Sequence, residues 1–137
     1  MKKYIAEFIG TFIMMFVGVG SIIINEINEG IIGHIGISIV FGVIVMFVVY
    51  MISSFSGAHI NPAVSIAFAC IGYISLRDLA PYMISQILGS IFACFILLLI
   101  FPNSIGLGIT IPLNGDYFEC FIIEAILTFI LMFVILN

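Results

Sequence analysis

Four apolar stretches, each long enough to cross a lipid bilayer, constrain this chain more than any other feature. They cover residues 4–24, 31–52, 79–101 and 117–136. A membrane-spanning helix needs about 20 mostly apolar residues. Since 64% of the chain is hydrophobic and only 7% is charged, the sequence predicts an all-α, multi-pass membrane protein and excludes soluble fold classes.

A fifth apolar stretch, residues 63–74, is too short to span a membrane and follows Asn61 and Pro62. Asparagine is a favoured helix N-cap, and proline suits the first helical position because its missing N–H would have no partner there. The pattern predicts a half-helix that begins at Asn61 and enters the bilayer only part of the way. We therefore interpret residues 53–74 as a re-entrant segment.

The residues that precede this cap are small, among them Ser56, Gly57 and Ala58. Irregular backbone at membrane depth is tolerated only where it is buried in protein or lines a wet cavity. Such a loop would present carbonyl acceptors, while the helix start and the Asn61 amide would present donors and partial positive charge. This combination indicates a site for neutral hydrogen-bonding molecules that repels cations.

The few charged residues predict the orientation in the membrane. Basic residues of short loops stay in the cytoplasm, and the only ones here are Lys2, Lys3 and Arg77. All three agree with a cytoplasmic N-terminus and an extracellular loop over residues 102–116. A cleaved signal peptide is less consistent with the long first stretch and its internal Glu7. With no basic patch, nucleic acid is not an expected partner.

An internal repeat links the first and fourth apolar stretches. Residues 7–17 align with residues 124–134, 117 positions later, and eight of the eleven residues are identical. Glu7 and Glu124 both match, as do the threonines four residues after them, and ionisable groups within a membrane span are functional candidates. With three spans between the copies, the repeat is inverted. The counterpart of Asn61 would then fall at 61 + 117 = 178, beyond residue 137, so we expect the sequence to stop within its second half.

Residues 56–65, Ser-Gly-Ala-His-Ile-Asn-Pro-Ala-Val-Ser, resemble the first signature loop of the major intrinsic protein family, the aquaporins and glycerol facilitators. The resemblance continues in the helices, through residues 6–12, Phe41-Gly42, Gln86 with Gly89 and Ala93, and Glu124 with Thr128. It implies a right-handed helical bundle in one incomplete channel domain, residues 1–137. That domain would hold the first inverted repeat, with three spans and the half-helix, followed by the fourth span.

The resemblance also implies roles for individual residues. Asn61 would donate to passing solute as part of the signature loop, and the carbonyls before it would accept. Phe41 would lie at the outer constriction, where phenylalanine is more similar to water channels than to glycerol facilitators. The residues concerned are Asn61, Pro62, Ala63, Gly57, Ala58, His59 and Phe41 for the pore, and Glu7, Glu124 and Gln86 for bracing the loops.

Two departures from the family pattern accompany these matches. Ser53-Ser54 stand where many relatives have Gly-His, and a second signature loop is not among these 137 residues. The function we expect is passive permeation of water, with glycerol and other small uncharged solutes as further candidates. The alternative is a truncated, non-conducting fragment or an assembly subunit of such a channel. A homotetramer in the cell membrane, surrounded by lipid, is expected from the resemblance.

Other classes of function receive less support. No Gly-x-Ser-x-Gly elbow and no set of acid, base and nucleophile indicates an enzyme. His59 has only His34 as a second histidine, and Cys70, Cys94 and Cys120 lack metal-binding or disulfide spacing, so we expect neither a metal nor another cofactor. Glu7 and Glu124 could alternatively form a proton relay in a coupled transporter. Bracing is the better interpretation because both would lie beside loops that need acceptors.

Overall fold

The computed structural model describes residues 1–104, 106–112 and 117–136. These ranges contain five α-helices and no β-strand. The helices are α1 (Lys2–Ile27), α2 (Gly33–Ser56), α3 (Pro62–Cys70), α4 (Leu76–Ile100) and α5 (Tyr117–Leu136). All except α3 are long and apolar enough to cross a membrane, which confirms the predicted all-α membrane fold.

The helix ends differ slightly from the predicted spans because hydrogen bonding, and not apolarity, decides where a helix stops. Before α2, the Asn25 side-chain oxygen accepts the N–H groups of Ile32 (3.0 Å) and Gly33 (2.8 Å). The helix therefore starts at Gly33 instead of residue 31. At its other end α2 continues to Ser56 and stops at Gly57, whose left-handed backbone (φ 86°) lets its N–H bond the Ser53 carbonyl at 2.8 Å.

Helix α1 is the centre of the bundle and packs against both α2 and α4. Glycines allow these contacts to be close. A Cβ on Gly10 would lie 2.4 Å from the Ile52 Cδ1 atom of α2, and one on Gly89 would lie 2.5 Å from the Phe8 carbonyl oxygen of α1. Close backbone approach of this kind is how membrane helices associate without a hydrophobic driving force.

A polar cluster joins the starts of α1 and α4. Ser75 caps α4 by accepting the Asp78 N–H at 3.2 Å. The Asp78 carboxylate in turn accepts from the Tyr4 hydroxyl at 2.7 Å and pairs with the Lys3 ammonium group at 2.8 Å. These contacts fix the two helices at one end, so that residues one turn further along can meet in a set register.

The short helix α3 packs on α4 and buries Val64, Ser65 and Phe68. Its start agrees with the sequence: Asn61 is the N-cap and Pro62 is the first helical residue, as predicted, whereas the helix ends at Cys70, before the end of the apolar stretch at residue 74. Helix α5 behaves differently, since it buries none of its residues. The packed part of the described chain is therefore α1 to α4, with α3 placed inside the group.

Candidate functional site

The backbone between α2 and α3 has an unusual conformation. Gly57, Ala58 and Ile60 all have positive φ angles, of 86°, 54° and 45°. For alanine and above all for β-branched isoleucine this region is strained, at a cost of about 1–3 kcal/mol per residue. Such a conformation persists only where surrounding contacts hold it. The hydrogen bonds of this segment must therefore hold its backbone in this conformation.

Glu7 of α1 supplies the main contacts. Its side chain is completely buried, and its two carboxylate oxygens accept the backbone N–H groups of His59 (2.9 Å) and Ile60 (2.7 Å). Hydrogen bonds to a charged acceptor are stronger than neutral ones. One carboxylate thus accepts from two consecutive N–H groups of the strained segment.

Gln86 of α4 extends this arrangement. Its amide nitrogen donates to Glu7 Oε2 at 2.8 Å and to the Ser65 hydroxyl oxygen at 2.9 Å. The same hydroxyl lies 3.0 Å from Nδ1 of His59. Because the Ser65 oxygen accepts from Gln86, its own proton is free to be donated to Nδ1. The four side chains form a continuous buried network from α1 through α4 to α3 and back to the loop.

Two further bonds complete the inner side of the loop. The N–H of Ala58 donates to the Ser56 hydroxyl at 3.1 Å, and the Tyr82 hydroxyl donates to the Ser56 carbonyl at 2.7 Å. Together with the bond from Gly57 to Ser53, they mean that every N–H from Gly57 to Ile60 has a partner on the protein side. All these donors are turned toward the bundle.

The carbonyl groups of the loop show the opposite arrangement. Within residues 1–104, 106–112 and 117–136, no hydrogen bond is formed to the carbonyl oxygens of Gly57, Ala58 or His59. Buried backbone acceptors are normally paired with protein or water. These three oxygens, in contrast, have no partner within the described part of the chain.

The N-cap bond fixes how Asn61 can interact. Its side-chain oxygen accepts the N–H of Ala63 at 2.8 Å. A backbone N–H can bond only the oxygen of the amide, so the orientation of this side chain is determined. The amide nitrogen, a double donor, then points away from the helix on an exposed residue. Acceptors and a donor are thus offered side by side at the start of α3, where the helix dipole is positive.

Comparison with known proteins shows to which family this sequence belongs. The family model described as "Major intrinsic protein" matches residues 1–137. The chain belongs to the major intrinsic protein family. The segment that resembles the family's first signature loop, residues 56–65, contains the two N–H groups that Glu7 accepts.

Several relatives within the family are similar over nearly the whole chain. Aquaporin NIP1-1 of Arabidopsis thaliana is 39% identical over 144 residues, covering 98% of this chain and 48% of the relative. Nodulin-26 of Glycine max is 40% identical over 136 residues, covering 98% and 50%. Aquaporin Z of Rhodopseudomonas palustris is 36% identical over 148 residues, covering 99% and 62%. The chain thus spans about half the length of the first two relatives.

Two residues that the family resemblance singles out lie apart from the loop. Phe41 of α2 is half-buried and faces Gly18 of α1, where a Cβ would be 2.5 Å from its ring. Gly18 is eight residues beyond Gly10, which touches Ile60, so Phe41 lies about 12 Å further along the helix axis. Glu124 is exposed on α5. Their roles, at a constriction and in bracing, stay predictions.

Sequence reasoning missed two residues that hold the loop, Ser65 of the network and Tyr82, which bonds the Ser56 carbonyl. Ser65 is buried on α3 although it follows the exposed Asn61 by four residues. Because residues four apart share a helix face, this spacing did not indicate its burial. Tyr82 reaches the Ser56 carbonyl across 26 positions of sequence, and no local pattern indicates such a contact.

Two cavities differ in what they could hold. A cavity of about 230 Å³ lies beside the start of α3, between α1 and α4, and has both polar and apolar walls. A larger one of about 420 Å³, around Gly20 and Leu97, is almost entirely apolar and offers a polar molecule few partners. Within the described ranges, no three His, Cys, Asp or Glu residues are grouped so as to hold a metal ion.

Proposed function

We propose that this protein forms a passive transmembrane channel for water and other small uncharged solutes such as glycerol. The observation that carries the proposal is the polarity of the loop. All N–H groups from Gly57 to Ile60 bond inward, while the carbonyls of Gly57, Ala58 and His59 and the amide nitrogen of Asn61 are left for an outside partner.

Such an arrangement suits neutral molecules. A water or polyol that loses its hydration shell on entering the membrane can donate to the carbonyls and accept from Asn61, so its hydrogen bonds are replaced and not lost. A cation would meet the positive end of the α3 dipole as well as the Asn61 donor. Cation exclusion by half-helix dipoles is an established principle of aquaporin-type pores; the residues named here are those that would apply it in this chain.

The relatives support the same general conclusion. Two of the three described above carry the name aquaporin, and the chain has four helices suited to a membrane. A solute path requires no chemical transformation, so we propose no catalytic role. The cell membrane, a cytoplasmic N-terminus and a homotetramer remain predictions. The orientation can be tested by labelling a cysteine introduced at residue 2 or 30 from each side of the membrane, in a variant in which Cys70, Cys94 and Cys120 are replaced by serine.

Water permeability of vesicles tests the channel directly. The purified chain is reconstituted into proteoliposomes, and shrinkage after an osmotic step is followed by stopped-flow light scattering. We expect faster shrinkage than in empty vesicles, with a weak temperature dependence. Circular dichroism of the same vesicles establishes that the protein is folded. Folded protein that leaves the permeability at the level of empty vesicles would refute a channel formed by this chain alone.

Asn61→Asp tests the role of the site without removing the helix cap, since aspartate also caps helices well. The substitution replaces the outward donor by a negative charge. We expect proton leakage, measured with a trapped pH-sensitive dye, to rise at least several-fold. Asn25→Asp is the matched control, because Asn25 likewise accepts two backbone N–H groups with its side-chain oxygen but lies at the end of α1. Proton leakage that is equally low in both variants would contradict the role of Asn61 in excluding cations.

A second candidate function is that of an assembly subunit that conducts only with a further polypeptide. The observation in its favour is α5, which is apolar and buries none of its residues. Under this proposal, vesicles that contain only this chain show no water flux. The chain forms a stable complex, and water flux appears when that complex is complete. Multi-angle light scattering on the detergent-solubilised protein, combined with the vesicle assay, separates it from the first candidate.

A further inference from the structure

Two residues that line the cavity of about 230 Å³ beside α3 carry polar atoms that the network described above does not use. Its lining is formed by Thr11, Met14, Met15, Ile60, Asn61, Pro62, Gln86, Ile87 and Ser90. Among these, Thr11 Oγ1 and Gln86 Oε1 are buried and have no hydrogen-bond partner in the part of the chain that the structure describes. The two residues are 3% and 1% exposed.

The orientation of the Gln86 amide is not arbitrary. Its nitrogen lies 2.8 Å from Glu7 Oε2 and 2.9 Å from the Ser65 hydroxyl oxygen. An ionised carboxylate can only accept hydrogen bonds. Turning the amide over would place its oxygen against the carboxylate, so Glu7 dictates that Nε2 faces the loop. The oxygen Oε1 must then face away from Glu7, as an acceptor that requires a donor.

Unpaired buried acceptors of this kind are rare in native proteins, and those that lack a protein partner are usually satisfied by an ordered water. We propose that a water molecule in this cavity donates a hydrogen bond to Gln86 Oε1 and is held in addition by the Thr11 hydroxyl. The two unpaired atoms thus suit a neutral molecule that can both donate and accept a hydrogen bond.

The space and the walls of the cavity agree with this. A cavity needs about 10–15 Å³ of probe-occupied volume to hold one water, so the cavity of about 230 Å³ has ample room. Met14 and Met15 are the flexible part of the lining; unbranched thioether chains readily adapt to open or close a small gap. Near Thr11 and Gln86, the Asn61 amide and the Ser90 hydroxyl add polar groups to the same walls.

The bound water would position Gln86. With Nε2 held by Glu7 and Ser65 and Oε1 held by water, both ends of the amide are fixed between α1 and α4. The inference concerns a resident water and does not depend on solute flux: a chain that conducts nothing can still hold it, and a conducting chain can lack it. Its test is therefore separate from the permeability assay.

Nuclear magnetic resonance of the detergent-solubilised chain with ¹³C-labelled methionine methyl groups supplies that test. We expect cross-peaks between water and the methyl groups of Met14 and Met15, of opposite sign in NOE and ROE spectra, the signature of a water that tumbles with the protein. Met46, which is 66% exposed on α2, should show none. Absence of these cross-peaks in the folded wild-type protein would overturn the proposal.

Three variants assign the water to its partners. Thr11→Val, which keeps the shape of the side chain but removes the hydroxyl, should weaken the cross-peaks several-fold, whereas Thr11→Ser should retain them. Thr128→Val, the equivalent change on exposed α5, should leave them unchanged. Undiminished cross-peaks in a folded Thr11→Val variant would overturn the assignment. If that variant fails to fold, the wild-type and Thr11→Ser spectra decide, since loss of the signal in folded Thr11→Ser would also contradict it.

Discussion

Helices α1 and α5 share eight residues of an eleven-residue stretch, including a glutamate and a threonine four positions apart, yet they occupy different environments. In α1, Glu7 is completely buried and holds two peptide groups of the loop. In α5, Glu124 is exposed and no residue of the helix is buried. Nearly the same local sequence therefore makes a helix in both places, but of the two carboxylates only that of Glu7 meets a partner among the residues that the structure describes.

The two copies also differ in sequence at a position where α1 packs closely against α2. Gly10 of α1 corresponds to Leu127 of α5. Because Gly10 has no side chain, Val48 and Ile52 of α2 fill the space that a Cβ at this position would need. A leucine at the same point of α5 presents a bulky side chain, which is 59% exposed. The comparison teaches that helix formation is local, whereas the role of a buried charge depends on what packs beside it.

The largest difference between the two copies should come from their glutamates. Glu7→Gln replaces one accepting oxygen by a donating nitrogen, which faces one of the N–H groups of His59, Ile60 or Gln86 and leaves it unpaired. Since bonds to a charged group and an orphaned buried donor each contribute about 1–3 kcal/mol, we expect destabilisation of roughly 3 kcal/mol. Thermal unfolding in detergent, followed by circular dichroism, measures it.

Glu124→Gln is the matched control, because the chemistry of the change is identical and the side chain is exposed. We expect an unfolding midpoint within the experimental error of the wild type. Equal losses of stability in the two variants would show that the contrast between α1 and α5 does not hold for the protein in detergent.

Exchanging the residues at the glycine position should have a somewhat smaller effect. Gly10→Leu gives α1 the residue of α5, and its Cβ would already lie 2.4 Å from Ile52 Cδ1 and 2.9 Å from Val48 Cγ1. Overpacking typically costs about 1–3 kcal/mol, so we expect a loss near the top of that range as α2 is displaced. The reciprocal change Leu127→Gly should cost about 1 kcal/mol through helix propensity alone. The same unfolding assay decides, and a Gly10→Leu variant as stable as the wild type would be evidence against close packing of α1 on α2.

The smallest effect concerns the side chain that links Gln86 to His59. Ser65→Ala removes the acceptor of one Gln86 bond and the partner of Nδ1, with an expected net cost of about 1 kcal/mol. Ser54→Ala, on an exposed residue of α2, is the control and should be neutral. The ¹⁵N chemical shifts of His59 provide a second measurement, since loss of the Ser65 hydroxyl should change the Nδ1 signal. An unchanged His59 spectrum would remove Ser65 from the network.

The helices and the start of α3 could be predicted from the sequence because their causes are local. Apolar length indicated the four long helices, and the preferences of Asn61 and Pro62 fixed where α3 begins. The role of Glu7 was predicted from family resemblance, since periodicity shows only that a carboxylate lies on an apolar helix. Tyr82 and Ser65 were missed because their partners depend on how α3 and α4 pack.

The strained backbone at Ala58 and Ile60 has a consequence for biosynthesis. Both residues adopt positive φ angles. The N–H groups of His59 and Ile60 in this segment depend on the Glu7 carboxylate, which lies 52 and 53 positions earlier in the chain. Domains are generally built from the N-terminus onward as the ribosome extends the chain. The glutamate therefore reaches the bilayer before the peptide groups that need it, so the loop can be captured as soon as it is made.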